Sequence, residues 1–325
     1  MQGIQQTAAD TGLYFAHLSD PHLTSLTGVR WQQLLNKRLL GYLSWHRRRR
    51  IEHQMEVLDA LLADLQVTSP GHVVVTGDLT HIGLPDEFRQ ARNWLERLGN
   101  SDAVTVIPGN HESCAAAPWR GTFSEWESYM RSDAAFTAAV ISGPGDLFPS
   151  LRIRDGVAFI GLSSACVSAP LMATGRLGRA QLERLEKRLR ETAEQGLFRV
   201  VLLHHSPRAE DEKWRKRLTD SRALCAVLKR VGAELVLHGH GHRAHRSELC
   251  FAGRPIPVFG VSSASATSQR EGRRAQYALY RIGRDIDTGD WSLDIEVRIY
   301  DASRNRFVGG QRHQLLLPAM PSTSC

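Results

Sequence analysis

Six short runs of apolar residues punctuate the chain: Leu13 to Leu18, His72 to Thr76, Ala103 to Ile107, Val157 to Leu162, Arg199 to Leu203 and Glu234 to Leu237. None alternates strictly with polar positions, so each reads as a strand covered on both faces. Helical periodicity fills several intervals. Ile51 to Leu65 sets Met55, Leu58, Leu62 and Leu65 on one side, and Pro85 to Leu98 opens on Pro-Asp-Glu and stops before Gly99. Leu177 to Gln195 repeats Leu182, Leu185 and Leu189 before Gly196, and Ser221 to Val231 ends at Gly232. The alternation predicts an α/β architecture. Beyond His245 the texture changes: Pro257 to Ser262, Gln276 to Ile282 and Trp291 to Tyr300 read as strands with no long helix between them, an antiparallel portion. The aromatic-rich stretch from Ser113 to Pro149 reads as a helical insertion or cap. Residues 1–12 and 318–325 are expected to be flexible ends, leaving one domain over 13–317.

Composition narrows the class. With 325 residues, 42% apolar and 23% charged, the chain can build a substantial core. No run of about 18 apolar residues is present to span a bilayer. The first fifteen residues lack the basic start and apolar block of a secretory signal. Five scattered cysteines without a C-x-x-C pair speak against a disulfide framework or a thiolate zinc site, and favour a reducing compartment: the cytoplasm or its membrane face.

Charge is concentrated. Lys and Arg number 41 against 34 Asp and Glu, and the excess equals the seven cations between Pro21 and Ile51: Arg30, Lys37, Arg38 and Arg47 to Arg50, a stretch with no acid. Trp31, Leu34, Leu35, Leu39, Tyr42 and Leu43 fall along one side of a helix there. Residues 26–50 therefore read as a basic amphipathic insertion, suited to anionic lipid or to a phosphorylated, partly apolar substrate; the alternative is a surface helix with its apolar side packed on the body and its arginines in water.

Chemistry gathers where the apolar runs end. Asp20-Pro21-His22 follows the first, Gly77-Asp78 the second, Gly109-Asn110-His111-Glu112 the third, His204-His205 the fifth and Gly239-His240-Gly241-His242 the sixth. Each motif alone is common in turns. Five at successive strand ends place carboxylates, imidazoles and one amide at one sheet edge, where α/β active sites form. A thiolate-free set of this kind suits Mn, Fe or Zn better than Ca.

This ordered series resembles the calcineurin-like metallophosphoesterases over roughly Tyr14 to His242. The resemblance implies a two-sheet β-sandwich flanked by helices in four αββα layers. It implies two divalent ions, one held by Asp20, His22, Asp78 and His242 and the other by Asp78, Asn110, His204 and His240. A hydroxide shared between the ions would attack phosphorus in line. His111 would face the phosphate as an imidazolium, and Glu112 would orient the loop or lie on the surface. His204 is favoured over His205 as the ligand, while His17, His238 and His245 read as packing or supporting groups and Cys166 as a buried thiol. The expected reaction is phosphodiester or pyrophosphate hydrolysis. The basic insertion resembles in character those of members acting on UDP-2,3-diacylglucosamine, and a cyclic-nucleotide or glycerophosphodiester substrate is the alternative. A DNA nuclease is disfavoured, because outside one segment the chain is neutral. A non-catalytic scaffold is disfavoured because every ligand position is filled.

Overall fold

The computed structural model describes residues 12–137, 141, 143–251, 254–268 and 270–318; the two expected flexible ends lie almost wholly outside them. Two six-stranded sheets carry the fold. One contains β1 (Tyr14–Leu18), β2 (His72–Val75), β3 (Val104–Val106), β10 (Gln276–Arg284), β11 (Trp291–Asp301) and β12 (Arg306–Leu317), in the order β12-β11-β10-β1-β2-β3. The other contains β4 (Ser150–Arg154), β5 (Val157–Gly161), β6 (Phe198–Leu202), β7 (Leu235–His238), β8 (His245–Phe251) and β9 (Arg254–Gly260), in the order β4-β5-β6-β7-β9-β8. Both are mixed. β1, β2 and β3 run parallel, and β10 returns antiparallel on the other side of β1. β5, β6 and β7 repeat that arrangement in the second sheet.

Strand alternation explains the layers. In β5, Val157 and Phe159 enter the core between the sheets, while Ala158 and Ile160 face a second core. The inner layer is aromatic: Phe15 meets Phe159 edge-on at 5.0 Å and stacks on Tyr280 at 4.9 Å. The second core is closed by α3 (Arg179–Glu194) through Leu182, Leu185 and Leu189, and by α4 (Ser221–Val231) through Leu224, Val227 and Leu228. On the first sheet's side lie α1 (Met55–Thr68) and α2 (Pro85–Leu98). This is the expected pair of sheets flanked by helices.

Several expectations need correction. Met55 is the first residue of α1 and exposed; Val57 and Leu61 join Leu58, Leu62 and Leu65 in the buried face. β4, β8 and β12 escaped the pattern; they are sheet edges less fully covered than the edge strand β3, and the middle of β12 (Gly309-Gly310-Gln311-Arg312) carries no apolar signal. Among the described residues of 113–149 only short helical turns form, Phe123–Trp126, Glu127–Met130, Ala134–Phe136 and Pro144–Leu147. Phe123 and Trp126 pack on Phe88 of α2 at 5.1 and 5.0 Å, so this segment plugs the body. Cys166 is half-buried, its thiol on the Thr174 carbonyl at 3.3 Å.

The basic insertion departs furthest. It is a 3₁₀ turn (Trp31–Leu34) followed by a helical stretch from Arg38 to Glu52 in which Trp45–Arg49 winds as a π-turn. Its polarity is inverted relative to an ordinary surface helix. Arg38 donates to the Ile82 and Gly83 carbonyls at 3.0 and 2.9 Å, and Lys37 donates to Ser168 Oγ and the Met172 carbonyl at 2.7 Å each. Leu34 and Trp45 are buried in a small core with Leu26, Ile82 and Leu84. Trp31, Leu35, Leu39, Leu40 and Leu43 are left in solvent.

One buried ion pair holds the second sheet to its helices. Arg199 of β6 donates bidentately to Glu234 at 2.9 and 2.7 Å and also to the Leu189 and Val231 carbonyls. Removing one partner strands the other charge in an apolar layer, which costs about 3–5 kcal/mol. Glu234→Ala is therefore expected to lower unfolding free energy by about that much in urea titrations.

Candidate metal centre

The strand ends of the two sheets meet, and turn-to-turn hydrogen bonds tie the meeting together. The Asp20 amide donates to the Gly77 carbonyl at 2.9 Å, His22 N to Asp78 O at 3.0 Å, and Gly239 N to His204 O at 3.0 Å. Close approach needs missing side chains. A Cβ on Gly109 would lie 2.2 Å from Asp78 Oδ1, and one on Gly239 would lie 1.8 Å from Ser19 Oγ. The ligand-type residues themselves absorb the backbone strain. Nine described non-glycine residues have positive φ, and five of them are Asp20, His22, Asp78, His240 and His242. Such conformations cost about 1–3 kcal/mol each and persist only where the surroundings enforce them.

The side chains converge. Donor atoms of Asp20, His22, Asp78 and His242 form one group and those of Asp78, His204 and His240 a second, each within 4.8 Å and with Asp78 common to both. His22 Nε2 lies 3.2 Å from His242 Nε2, which lies 3.2 Å from Asp20 Oδ1. His204 Nε2 is 3.1 Å from Asp78 Oδ2 and 3.2 Å from Asn110 Oδ1. All seven side chains named from sequence as ligands are thus in one place, with His111 Nε2 3.9 Å from Asp78 Oδ2.

The arrangement fits cations. Asp20 Oδ1, Asp78 Oδ2 and His240 Nε2 are buried with no hydrogen-bond partner among the described residues. Carbonyls hold the far nitrogens of two rings, His22 Nδ1 on Thr80 at 3.0 Å and His204 Nδ1 on Thr76 at 2.7 Å. This fixes the tautomer and aims both Nε2 atoms inward, as metal-binding histidines require. Burial opposes ionisation of Asp78, but His204 and His111 hold its carboxyl well below the usual range. Burial also pulls His204 down, yet Asp78 prevails and lifts it to about 9. Without an ion, a proton on His204 supplies the positive charge that the carboxylates demand.

Glu112 is buried and structural to the loop. It accepts from the amides of Asp78 (3.0 Å), Gly109 (2.7 Å) and Thr80 (2.9 Å). His205 is occupied elsewhere, by Ser164 Oγ at 2.7 Å and the Ala173 carbonyl at 3.2 Å. His17 pairs with Thr76 Oγ1 at 2.9 Å, His238 Nδ1 donates to the Gly239 carbonyl, and His245 meets Asp211 at 3.2 Å.

Three further residues at the centre carried no motif. His53 has Nδ1 on Ser265 Oγ at 2.8 Å and its ring 4.7 Å from that of His22; His81 stacks on His22 at 5.3 Å, and the His53 and His81 rings are themselves 6.1 Å apart. Arg49 alone of its cluster turns inward, its Nη1 2.8 Å from His111 Nε2. His111 Nδ1 donates to the His81 carbonyl, and Arg49 Nη1 lies 3.2 Å from Nδ1 as well as 2.8 Å from Nε2, so the guanidinium rests against the ring rather than on the Nε2 lone pair. Burial and Arg49 push His111 down to about 3. In this arrangement the imidazole is neutral, and the cation beside Asp78 is Arg49 rather than an imidazolium. A cavity of about 240 Å³ opens beside His22, His53 and His81 under Trp45 and Arg50.

Comparison with known proteins agrees with this geometry. The family model described as calcineurin-like phosphoesterase matches residues 13–244. A protein of Rhodococcus erythropolis named "Probable cyclic nucleotide phosphodiesterase" is 29% identical over 207 residues, 62% of this chain and 60% of its own length. One of the same description from Synechococcus sp. is 28% identical over 211 residues, 60% of this chain and 68% of its own. Among solved structures, a dimetal phosphatase from Danio rerio superposes with TM-score 0.53 at 12% identity, covering 96% of this chain and 100% of that one. The purple acid phosphatase PPD1 of yellow lupin gives 0.54 at 12% identity, covering 93% and 53%. These two share the fold.

If Asp78 serves both groups, Asp78→Ala abolishes binding of both ions. Mn²⁺ at about 100 times its Kd should stabilise the unaltered chain by about 2.7 kcal/mol and leave the variant's melting temperature unmoved. Elemental analysis should find two ions per unaltered chain and fewer than one per variant chain.

Proposed function

The chain belongs to the calcineurin-like phosphoesterase family and is a metal-dependent phosphoester hydrolase; on that footing we propose that it cleaves phosphodiester or pyrophosphate bonds at the centre built around Asp78. The observation that carries this reading is the sharing of one buried carboxylate by two ligand groups. We assign Asp20, His22, Asp78 and His242 to one ion and Asp78, Asn110, His204 and His240 to the other, with Mn, Fe or Zn as the ions the oxygen and imidazole donors suit. Bound cations at such a centre acidify water toward neutral pH and neutralise phosphate charge. The protein's own groups do the rest. Glu112 fixes the Asp78 and Gly109 backbone, and carbonyls aim His22 and His204. His111 stands beside Asp78 with Nε2 as the atom available to take or give a proton. The catalytic unit runs from residue 13 to 317, because β10, β11 and β12 extend the sheet of β1.

For the substrate, the insertion favours an amphiphile with a nucleotide- or lipid-linked phosphate, such as UDP-2,3-diacylglucosamine, met at an anionic membrane surface. Seven of the thirteen large apolar residues exposed among the described residues lie between Trp31 and Met55, with Trp31 67%, Leu35 71% and Ile51 64% exposed. Arg47, Arg48 and Arg50 are exposed beside them. A contiguous apolar patch rimmed by cations is the composition that seats on anionic headgroups. No described helix is long and apolar enough to cross a membrane. A cyclic-nucleotide diester is the second reading, favoured by the names of the two sequence relatives.

Sedimentation with vesicles separates these. The protein should pellet with phosphatidylglycerol vesicles, stay in solution with phosphatidylcholine ones, and lose the difference when Leu35, Leu39 and Leu43 become Ser. Product analysis with Mn²⁺ over cyclic nucleotides, linear diesters and UDP-linked diacyl sugars names the bond cleaved. His111→Ala should keep both ions and lose turnover by about 10²-fold or more; loss of metal in that variant would contradict the role given to His111.

A further inference from the structure

The insertion does more than lie over the body: it delivers one side chain to the metal centre. Helical winding from Arg38 would carry four successive arginines around the axis, but the π-turn at Trp45–Arg49 adds a residue and re-aims the side chains after it. Trp45 sinks into the small core beneath, its ring 6.4 Å from His81. On the far side His53 bonds to Ser265 Oγ, Gln54 N donates to the Ser265 carbonyl at 3.2 Å, and Thr267 N donates to the Glu52 carbonyl at 2.8 Å. Arg49 is therefore clamped from both directions. Arg48, one residue earlier, points to solvent and pairs with Glu52.

The partner of Arg49 is unusual. Among the described residues its guanidinium makes no ion pair with a carboxylate, and it rests against the ring of His111, Nη1 2.8 Å from Nε2 and 3.2 Å from Nδ1. A guanidinium has five donors in a fork that matches the oxygens of phosphate, and an imidazole ring uses at most one of them. Arg49 is half-buried, and an arginine drawn inward normally sits on a carboxylate. Burial opposes its charge, while Asp78, Glu52 and Asp20 are near enough to favour it without bonding to it.

We infer that Arg49 is a phosphate-binding residue of this centre, held ready by the insertion and handed from His111 to a phosphoryl oxygen when substrate enters. The inference rests on the dinuclear phosphoesterase reading and adds to it a contact from outside the five strand-end loops. The exchange is favourable, because a charged phosphoryl oxygen offers a guanidinium a stronger acceptor than the side of an imidazole ring. It also frees His111 Nε2 beside the reacting group. Since Arg49 is placed before substrate arrives, little ordering remains to be done on binding. A loosened insertion would weaken phosphate binding without touching a metal ligand.

The test uses the Mn²⁺-loaded full chain and inorganic phosphate as the probe, titrated calorimetrically. Arg49→Ala should retain two Mn²⁺ per chain and bind phosphate about 10- to 100-fold more weakly. Arg49→Lys should recover part of the loss, since it restores the charge without the fork. With bis(p-nitrophenyl) phosphate, the alanine variant should show a raised KM. An Arg49→Ala chain that keeps both ions and binds phosphate within twofold of the unaltered protein overturns the inference alone. So does one that loses its metal along with its phosphate affinity, because Arg49 would then act by propping the centre. An unaltered chain that takes up no metal contradicts the dinuclear reading itself, and the role of Arg49 falls with it.

Discussion

Two carboxylates enclosed within a few ångströms of each other, with water excluded, set the terms for the rest of this molecule. Asp20 and Asp78 are fully buried and repel one another, and no Lys or Arg among the described residues bonds to either. Folding brings them together only because strand ends, glycine close approaches and turn-to-turn amides leave the backbone no other course. Positive charge must then be supplied. In the protein alone it comes from a proton on His204 and from nearby Arg49. Divalent cations would supply it in full, and would also satisfy the unpartnered atoms of Asp20, Asp78 and His240. Strain at five of the ligand backbones has the same origin: these residues are placed for what they bind rather than for their own comfort.

The insertion between β1 and α1 solves a separate problem with inverted polarity. Its basic residues Lys37 and Arg38 bond inward to carbonyls, and Leu35, Leu39, Leu40 and Leu43 face out. An ordinary amphipathic helix spends its apolar face on the core. Here the apolar face remains available for an external partner, while the π-turn sends Arg49 the other way, into the metal centre. One segment thus joins the outer surface to the chemistry.

Much of this was legible in the sequence, for physical reasons. Strands covered on both faces are apolar throughout, so β1, β2, β5, β6 and β7, and the buried edge strand β3, announce themselves, and the residues next along the chain must lie at one edge. That reasoning groups the five motifs holding Asp20, His22, Asp78, Asn110, His111, Glu112, His204, His205, His240 and His242, and the family resemblance chose His204 over His205 and divided the ligands into two sets. Edge strands such as β12 are partly polar and did not stand out. Arg199 and Glu234 sit within apolar runs, where nothing local says they face each other. His53 and His81 belong to no motif and reach the centre only through tertiary packing. Which of four consecutive arginines turns inward depends on a single extra residue in one helical turn, and periodicity reasoning at a fixed 3.6 residues per turn does not reach it. The burial of Glu112 was equally hidden, since a carboxylate accepting three amides looks in sequence like any surface acid.

The central claim is that Asp78 lies between two ions. Crystals soaked in Mn²⁺ and measured on both sides of the manganese absorption edge test it directly. The account predicts two anomalous peaks about 3.5–4 Å apart, one among Asp20, His22 and His242 and the other among Asn110, His204 and His240, with the Asp78 carboxylate between them. A single peak, or peaks remote from Asp78, would contradict it.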